Sequence, residues 1–288
     1  SAATVMDYKT GEVKALIGGR GKQPANSLNR AYDDLKSIAS NTKPLTVYGP
    51  AIDTKNYTAA TPIDDSPLTN EELSNFGYSF QPTNWNGVYD GLITPREAIM
   101  YSKNITSLKV VYNLGLSTAL EYGKKSGLIY NSESSKSIAT LALGEFNNDP
   151  SDRDGGNTTI LASAYGSFGN KGIRTEAILY TKVIDSTGKV ILDKTADTTK
   201  LFSEETAYIM YDILKGPVTG FDAGGAKFGD IPVAGKSGTT DNSDSFWFSG
   251  LTPYYSASVW IGYDMPTKLN GYSSSAASLW GDVMGVVH

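Results

Sequence analysis

The sequence contains no cysteine, and its single histidine, His288, is the last residue. Disulfides, thiolate nucleophiles and Cys-type zinc sites are thereby excluded, and a histidine at a frayable terminus is a poor general base or metal ligand. A Ser-His-Asp triad is in effect ruled out. A serine enzyme built from this chain needs another base, and lysine is the usual substitute. No run of 18 apolar residues is present, so no segment reads as a membrane span, and no signal-peptide pattern opens the chain. Basic tracts are missing too: the net charge is -5 and nothing resembles a phosphate-tracking stripe, so nucleic acid is not an expected partner. Internal repeats and low-complexity tracts are also absent. What remains is a chain of 288 residues, 40% of them hydrophobic, enough for one large domain or two small ones with a sizeable core. It starts in strand-like sequence at Ser1-Ala2-Ala3, which predicts one domain over residues 1–288, excised from a longer chain whose targeting segment lies elsewhere.

Apolar and polar residues alternate from Thr4 to Ile17 around Asp7-Tyr8-Lys9-Thr10-Gly11, predicting a β-hairpin. Residues 20–36 are polar and irregular. The spacing of Leu45, Val47, Tyr48 and Ile52 predicts a short helix after Ser40 with Pro44 in its first turn. Residues 56–90, with Pro62, Pro67 and Pro82, read as a long loop lining a cleft. Thr94-Pro95-Arg96-Glu97 combines a capping box with proline at N1, starting a helix that ends near Ser102-Lys103-Asn104. Helices follow over 105–114, 117–125 and 158–168, then a hairpin over 176–194 turning at Asp185-Ser186-Thr187-Gly188 and a helix over 203–214. Strands at 233–240, 245–250 and 256–263 precede a closing helix over 273–287. Strands at both ends with helices between predict one α+β domain whose sheet is built from sequence-distant hairpins.

Ser40-Asn41-Thr42-Lys43 places a hydroxyl and an ammonium one helical turn apart. A serine hydroxyl becomes a competent nucleophile only when a base within hydrogen-bond reach takes its proton, and a neutral lysine can do so. Alone the pattern is weak, because Ser186 to Lys189 repeats it in a hairpin turn. Ser-x-Asn likewise occurs at Ser27 and Ser102, and Lys-(Ser/Thr)-Gly at Lys9, Lys125 and Lys236. Order and context separate them. Only Ser40 is followed by a Ser-x-Asn just behind a capped helix and then by Lys236-Ser237-Gly238-Thr239, after a strand ending in small residues where an extended peptide can lie alongside. Lys125-Ser126-Gly127 is helix-ending chemistry and Lys9-Thr10-Gly11 a hairpin turn. The bland reading of Ser40 is a helix N-terminal residue, that of Asn104 a cap, and that of Lys103 a solvated charge. A nucleotide-binding reading of Gly235-Lys236-Ser237 fails, since Asp230 stands where the first P-loop glycine belongs and a strand follows.

The ordered triplet resembles the signature of penicillin-binding proteins and serine β-lactamases. Further segments are similar to the transpeptidase domain of class A (bifunctional) penicillin-binding proteins: Asp7 to Val13 with Gly18-Gly19, Asn29-Arg30-Ala31, Leu141 to Gly144, Ala162 to Phe168, and Trp247 through Asp264. Together they span nearly the whole chain. The chain departs from the family in having Ile38-Ala39 where Pro-Gly usually precedes the nucleophile, and Lys-Ser-Gly for the commoner Lys-Thr-Gly.

The resemblance implies an α+β fold with a central five-stranded antiparallel sheet covered by helices and a helical subregion carrying the Ser-x-Asn motif. It implies Ser40 as acylated nucleophile, Lys43 as its base, Ser102 as proton relay and Asn104 as the residue positioning the substrate amide. Lys236 would supply positive charge, the Ser237 and Thr239 hydroxyls flanking Gly238 would hold the substrate carboxylate, and the backbone N–H groups of Ser40 and Thr239 would form an oxyanion hole. Bringing a lysine from about 10.4 to about 7 takes roughly 4.6 kcal/mol, within reach of burial plus a like charge such as Lys236. The implied activity is a D,D-transpeptidase that joins donor and acceptor stem peptides of peptidoglycan, needs no cofactor or metal, and is acylated by β-lactams. Implied too are a place on the outer face of the bacterial cytoplasmic membrane, held by an N-terminal segment outside this sequence, and a glycosyltransferase domain before Ser1. Two alternatives stay open. A β-lactamase or D,D-carboxypeptidase of the same fold would need an activated water, for which Glu145 is the tempting glutamate; a β-lactam sensor or wall-binding module would acylate without turnover.

Overall fold

Segments from the two ends of the chain meet in one five-stranded antiparallel sheet in the computed structural model, which describes residues 1–147, 149 and 151–288. The opening hairpin is β1 (Ala2–Met6) and β2 (Val13–Ile17). Where a short helix is expected after Ser40, a 3₁₀ turn (Ala39–Thr42) passes into a wider π-type segment (Lys43–Tyr48) and then α1 (Gly49–Asp53).

Residues 56–90 hold more structure than the proline density suggests. β3 (Ile63–Asp65) pairs with β4 (Gly91–Ile93), and between them lies α2 (Asn70–Phe76). Thr69 and Glu72 cap α2 reciprocally, with the Thr69 hydroxyl accepting from the Glu72 N–H and the Glu72 carboxylate from the Thr69 N–H. The capping box is the same as at Thr94, but there proline at N1 adds a second start signal, whereas Asn70 holds that position here.

Next come α3 (Pro95–Met100), α4 (Asn104–Leu114), α5 (Leu116–Lys125), α6 (Ile138–Leu143) and α7 (Thr158–Gly169). α3 starts at the expected Thr94 capping box. β5 (Ile173–Thr175) pairs with β8 (Thr198–Lys200), and inside that ladder β6 (Lys182–Ile184) and β7 (Val190–Asp193) form the expected hairpin. α8 (Glu204–Ile213) is N-capped by the Ser203 hydroxyl and followed by α9 (Lys215–Gly220). β9 (Ala234–Thr239), β10 (Ser245–Leu251) and β11 (Ser256–Gly262) complete the sheet, and α10 (Ser274–Val287) closes the chain.

The sheet order is β2-β1-β11-β10-β9. Every residue of β10 is buried, because helices cover both faces. Alternate residues divide accordingly: Trp247 and Leu251 join a core with Leu161, Ala164 and Tyr165 of α7, while Phe246 and Phe248 join another with Trp280 and Met284 of α10. The Thr4 hydroxyl bonds those of Thr158 (2.8 Å) and Thr159 (3.1 Å), pinning α7 to the sheet. β9, which carries Lys236 to Thr239, is left at the sheet edge facing the turn that carries Ser40.

Candidate active site

Glycine at 238 lets β9 approach that turn. A Cβ there would sit 2.4 Å from Asn41 Nδ2 and 3.0 Å from the Ile38 carbonyl oxygen, so a larger residue would push the strand away. The turn is held on its other sides as well. The Tyr165 hydroxyl donates to the Asn41 carbonyl (2.9 Å), Asn41 Nδ2 to the Ile38 carbonyl (3.2 Å), and the Ala39 N–H to the Gly144 carbonyl (3.2 Å). Ala39, standing where the resembled family usually has glycine, still adopts the left-handed φ of 48° that glycine favours. Ser102, between α3 and α4, shares this strain at φ 52°. Local strain of this kind persists where the surroundings over-determine it.

Lys43 is completely buried, and its Nζ donates to the Ser102 carbonyl (2.8 Å) and to Asn104 Oδ1 (2.8 Å), with Ser102 Oγ at 3.4 Å. The two short contacts go to oxygens that only accept. They therefore use both N–H groups of a neutral amine and leave its lone pair for a hydroxyl proton. Burial, and after it the charge of Lys236, holds the Lys43 pKa well below the ordinary lysine range. Lys236 is likewise fully buried, with its pKa brought down to about 8 by burial against the opposing pull of Asp222. Its Nζ donates to the Ser237 carbonyl (3.0 Å), and Ser237 Oγ donates to Asp222 Oδ2 (2.7 Å).

Asn104 does not cap α4; it is the first residue of that helix. Asn84, from the cleft-lining segment, accepts the Asn104 N–H (2.8 Å) and the Ile105 N–H (3.3 Å) on its Oδ1 and so does the capping. Asn104 Nδ2 donates to the Thr83 carbonyl (3.1 Å), which turns its Oδ1 toward Lys43. Asn84 is held in turn by the fully buried Asp65 through Nδ2 (2.8 and 3.0 Å). The expectation of a solvated Lys103 is wrong: this side chain is 1% exposed and paired with Asp65 (3.0 Å) and Asp90, and its Nζ also donates to the Val88 carbonyl (3.1 Å). The error has a simple origin, since a lysine between two polar residues carries no local mark of a carboxylate 38 positions upstream.

Ser40, Ser102, Asn104, Ser237, Gly238 and Thr239 open onto one cleft of about 1030 Å³. The buried Lys43 and Lys236 lie behind this lining. The Ser40 N–H belongs to the first turn of its helix, where backbone donors lack intrahelical partners. The Ser40 hydroxyl makes no side-chain hydrogen bond among the described residues. None of the repeated motifs at Lys9, Ser27, Lys125 or Ser186 lines the cleft. Trp85 does line it, as its loop position suggests, whereas Trp247 and Trp260 are buried packing residues.

Three further residues line the cleft outside the motifs: Glu145, the glutamate expected of a hydrolase, and Asp222 and Asp241, which carry no sequence signal. Crowding in the cleft and the adjacent Asp241 carboxyl push the Glu145 carboxyl up to about 7, although its side chain still meets solvent. Among the described residues no group of three or more acidic, cysteine or histidine side chains is placed to hold a metal, and no helix is long and apolar enough to cross a membrane.

Comparison with known proteins gives concordant results. Residues 1–285 match the family described as penicillin binding protein transpeptidase domain. Penicillin-binding protein 1A of Clostridium perfringens is 55% identical over 290 residues, covering 100% of this chain and 43% of that protein. The protein of the same name from Clostridium acetobutylicum is 49% identical, covering 99% and 35%. The chain thus spans less than half the length of these curated relatives. Among solved structures, penicillin-binding protein 1A from Haemophilus influenzae superposes with a TM-score of 0.81 at 20% identity, covering 99% of this chain and 47% of that one. At that identity the likeness speaks for the fold, an α+β arrangement with the same kind of sheet.

Proposed function

The chain belongs to the transpeptidase-domain family of penicillin-binding proteins, and on that premise we propose that it is a serine D,D-transpeptidase that cross-links peptidoglycan stem peptides. The observation that carries this reading is the buried Lys43 amine, its N–H groups taken by Ser102 and Asn104 and its pKa depressed, behind the cleft onto which Ser40 opens. Ser40 Oγ attacks the carbonyl of the donor's penultimate D-alanine while Lys43 takes the hydroxyl proton. The Ser40 and Thr239 N–H groups stabilise the oxyanion, and Ser102 passes the proton to the departing D-alanine amine. An acceptor amine then attacks the ester, loses its proton to the same relay and restores Ser40. Asn104 positions the donor amide; Lys236, Ser237 and Thr239 receive its terminal carboxylate. A β-lactam would follow the first half of this path and remain as an ester on Ser40. The site would work on the outer face of the bacterial cytoplasmic membrane, held there by a segment outside this sequence, within a longer chain that also carries a glycosyltransferase domain.

A hydrolytic reading, β-lactamase or D,D-carboxypeptidase, has one observation in its favour: Glu145, held near 7, lines the cleft and could activate water. Intact-mass spectrometry with benzylpenicillin separates the readings. A persistent single adduct mapping to Ser40 is expected, lost in Ser40→Ala with the fold intact. An adduct that disappears as drug is consumed would favour the hydrolase; labelling that survives Ser40→Ala would refute the nucleophile assignment. A stable adduct without cross-linking of a donor peptide to an amine would point to a sensor.

A further inference from the structure

The loop after α9 carries Phe221 and Asp222 across the cleft. Phe221 packs edge-on against Tyr101 (centroids 5.4 Å apart) and tilted against Trp85 (5.8 Å), both from the Ser-x-Asn side. From there Asp222 reaches back to β9, where its Oδ2 accepts from Ser237 Oγ at 2.7 Å and from Ser273 Oγ at 3.2 Å. A serine hydroxyl has one hydrogen to donate. While it points at Asp222, Ser237 cannot hold a donor's carboxylate. Asp222 itself is incompletely satisfied: its Oδ1 is buried and has no hydrogen-bond partner among the described residues. Buried carboxylate oxygens without partners are costly and rare, so this position holds the side chain only weakly. Its carboxylate also lies near enough to Lys236 to favour that lysine's charged form, as a substrate carboxylate would.

We propose that Asp222 is a built-in stand-in for the substrate carboxylate: it occupies the anion position at Ser237, and a carboxylate-bearing donor has to displace it to bind. The inference rests on the reading of Ser40 as the acylated nucleophile and of Ser237 as part of the carboxylate subsite. It makes the Gly220–Ala223 loop a selectivity element, with Phe221 as its anchor between the two aromatic rings.

The test is the second-order rate of acylation by a fluorescent penicillin, whose own carboxylate must take the same position. Asp222→Ala is expected to be acylated about tenfold faster than wild type, roughly the value of one hydrogen bond to a charged group. Asp222→Asn, nearly isosteric and therefore the safer variant for folding, should fall between them. The gain should vanish when Ser237→Ala is added to Asp222→Ala, because the contested hydroxyl is then gone. Rates in both Asp222 variants equal to or below wild type, with Ser40 still labelled, would overturn the stand-in and make Asp222 a residue that positions Ser237. Absence of a Ser40 adduct in wild type would overturn the underlying reading as well, so the two failures are distinguishable.

Discussion

Replacing Lys103 with methionine tests whether the middle residue of Ser-x-Asn is structural. Lys103 Nζ lies 3.0 Å from the carboxylate of Asp65, a side chain with no exposure, and also reaches Asp90 and the Val88 carbonyl. Methionine roughly conserves the volume but leaves Asp65 without its counter-charge. Removing one partner of a buried pair costs about 3–5 kcal/mol. Asp65 keeps donors from Asn84 and the Asp90 N–H, which argues for the lower end, about 3 kcal/mol. At roughly 2–4 °C per kcal/mol for a domain of this size, the midpoint of thermal unfolding should drop by about 6–12 °C. Burial alone would lower the Lys103 pKa, but Asp90 and Asp65 outweigh it and the net shift is upward from 10.5. A pKa raised in the folded state contributes stability that is complete below the unfolded value and is lost as pH climbs through the folded one. The deficit of Lys103→Met should therefore be undiminished from pH 6 to 9 and shrink only above about 10.5. Acylation should slow as well, because Asp65 holds Asn84, which caps the helix bearing Asn104. Scanning calorimetry with penicillin-labelling rates checks both, using exposed Lys124→Met as control, expected within about 0.5 kcal/mol of wild type. A midpoint within 2 °C of wild type would show that Lys103 behaves as a solvated charge and that the Asp65 network does not hold the site.

Ser102→Gly and Ser102→Ala should both slow acylation, yet the glycine variant should be the more stable by about 1 kcal/mol, since only alanine retains the penalty at φ 52°; equal thermal midpoints would contradict the strain. Gly238→Ala should cost about 1–3 kcal/mol and at least tenfold in labelling rate, because its Cβ would press on Asn41 and separate β9 from the nucleophile turn; unimpaired labelling would refute that packing argument. Glu145→Gln concerns pH. The ionised Glu145 carboxylate favours the charged form of Lys43, so removing it should lower the Lys43 pKa further and move the acidic limb of the acylation profile to lower pH; an upward movement would rule out that coupling. The same substitution should remove a loss of stability on going from pH 4.5 to 7, the interval over which a carboxyl raised to about 7 holds a proton in the folded state that the unfolded chain has released.

Local chemistry in the sequence determined a good part of this protein. Capping at Thr94 and Ser203, alternation in the terminal strands and the glycine-containing turns are interactions within a few residues, so the α+β class, most helix starts and the hairpins could be read directly. The ordered Ser40–Lys43, Ser102–Asn104 and Lys236–Thr239 motifs were legible for a related reason, since each is a short run of chemically specific residues. Tertiary structure decided what those residues can do. The charge state of Lys43 depends on its burial and on Lys236, 193 positions away in sequence. Lys103 became a buried ion pair because β3 brings Asp65 to it, and Asn84 became the cap of α4 because a segment with no helical periodicity folds over the helix end. Asp222 stands at Ser237 only because α9 ends beside β9. Burial, like-charge proximity and competition for a single hydroxyl proton are relations between distant parts of the chain, and they exist only once the sheet has drawn its two ends together.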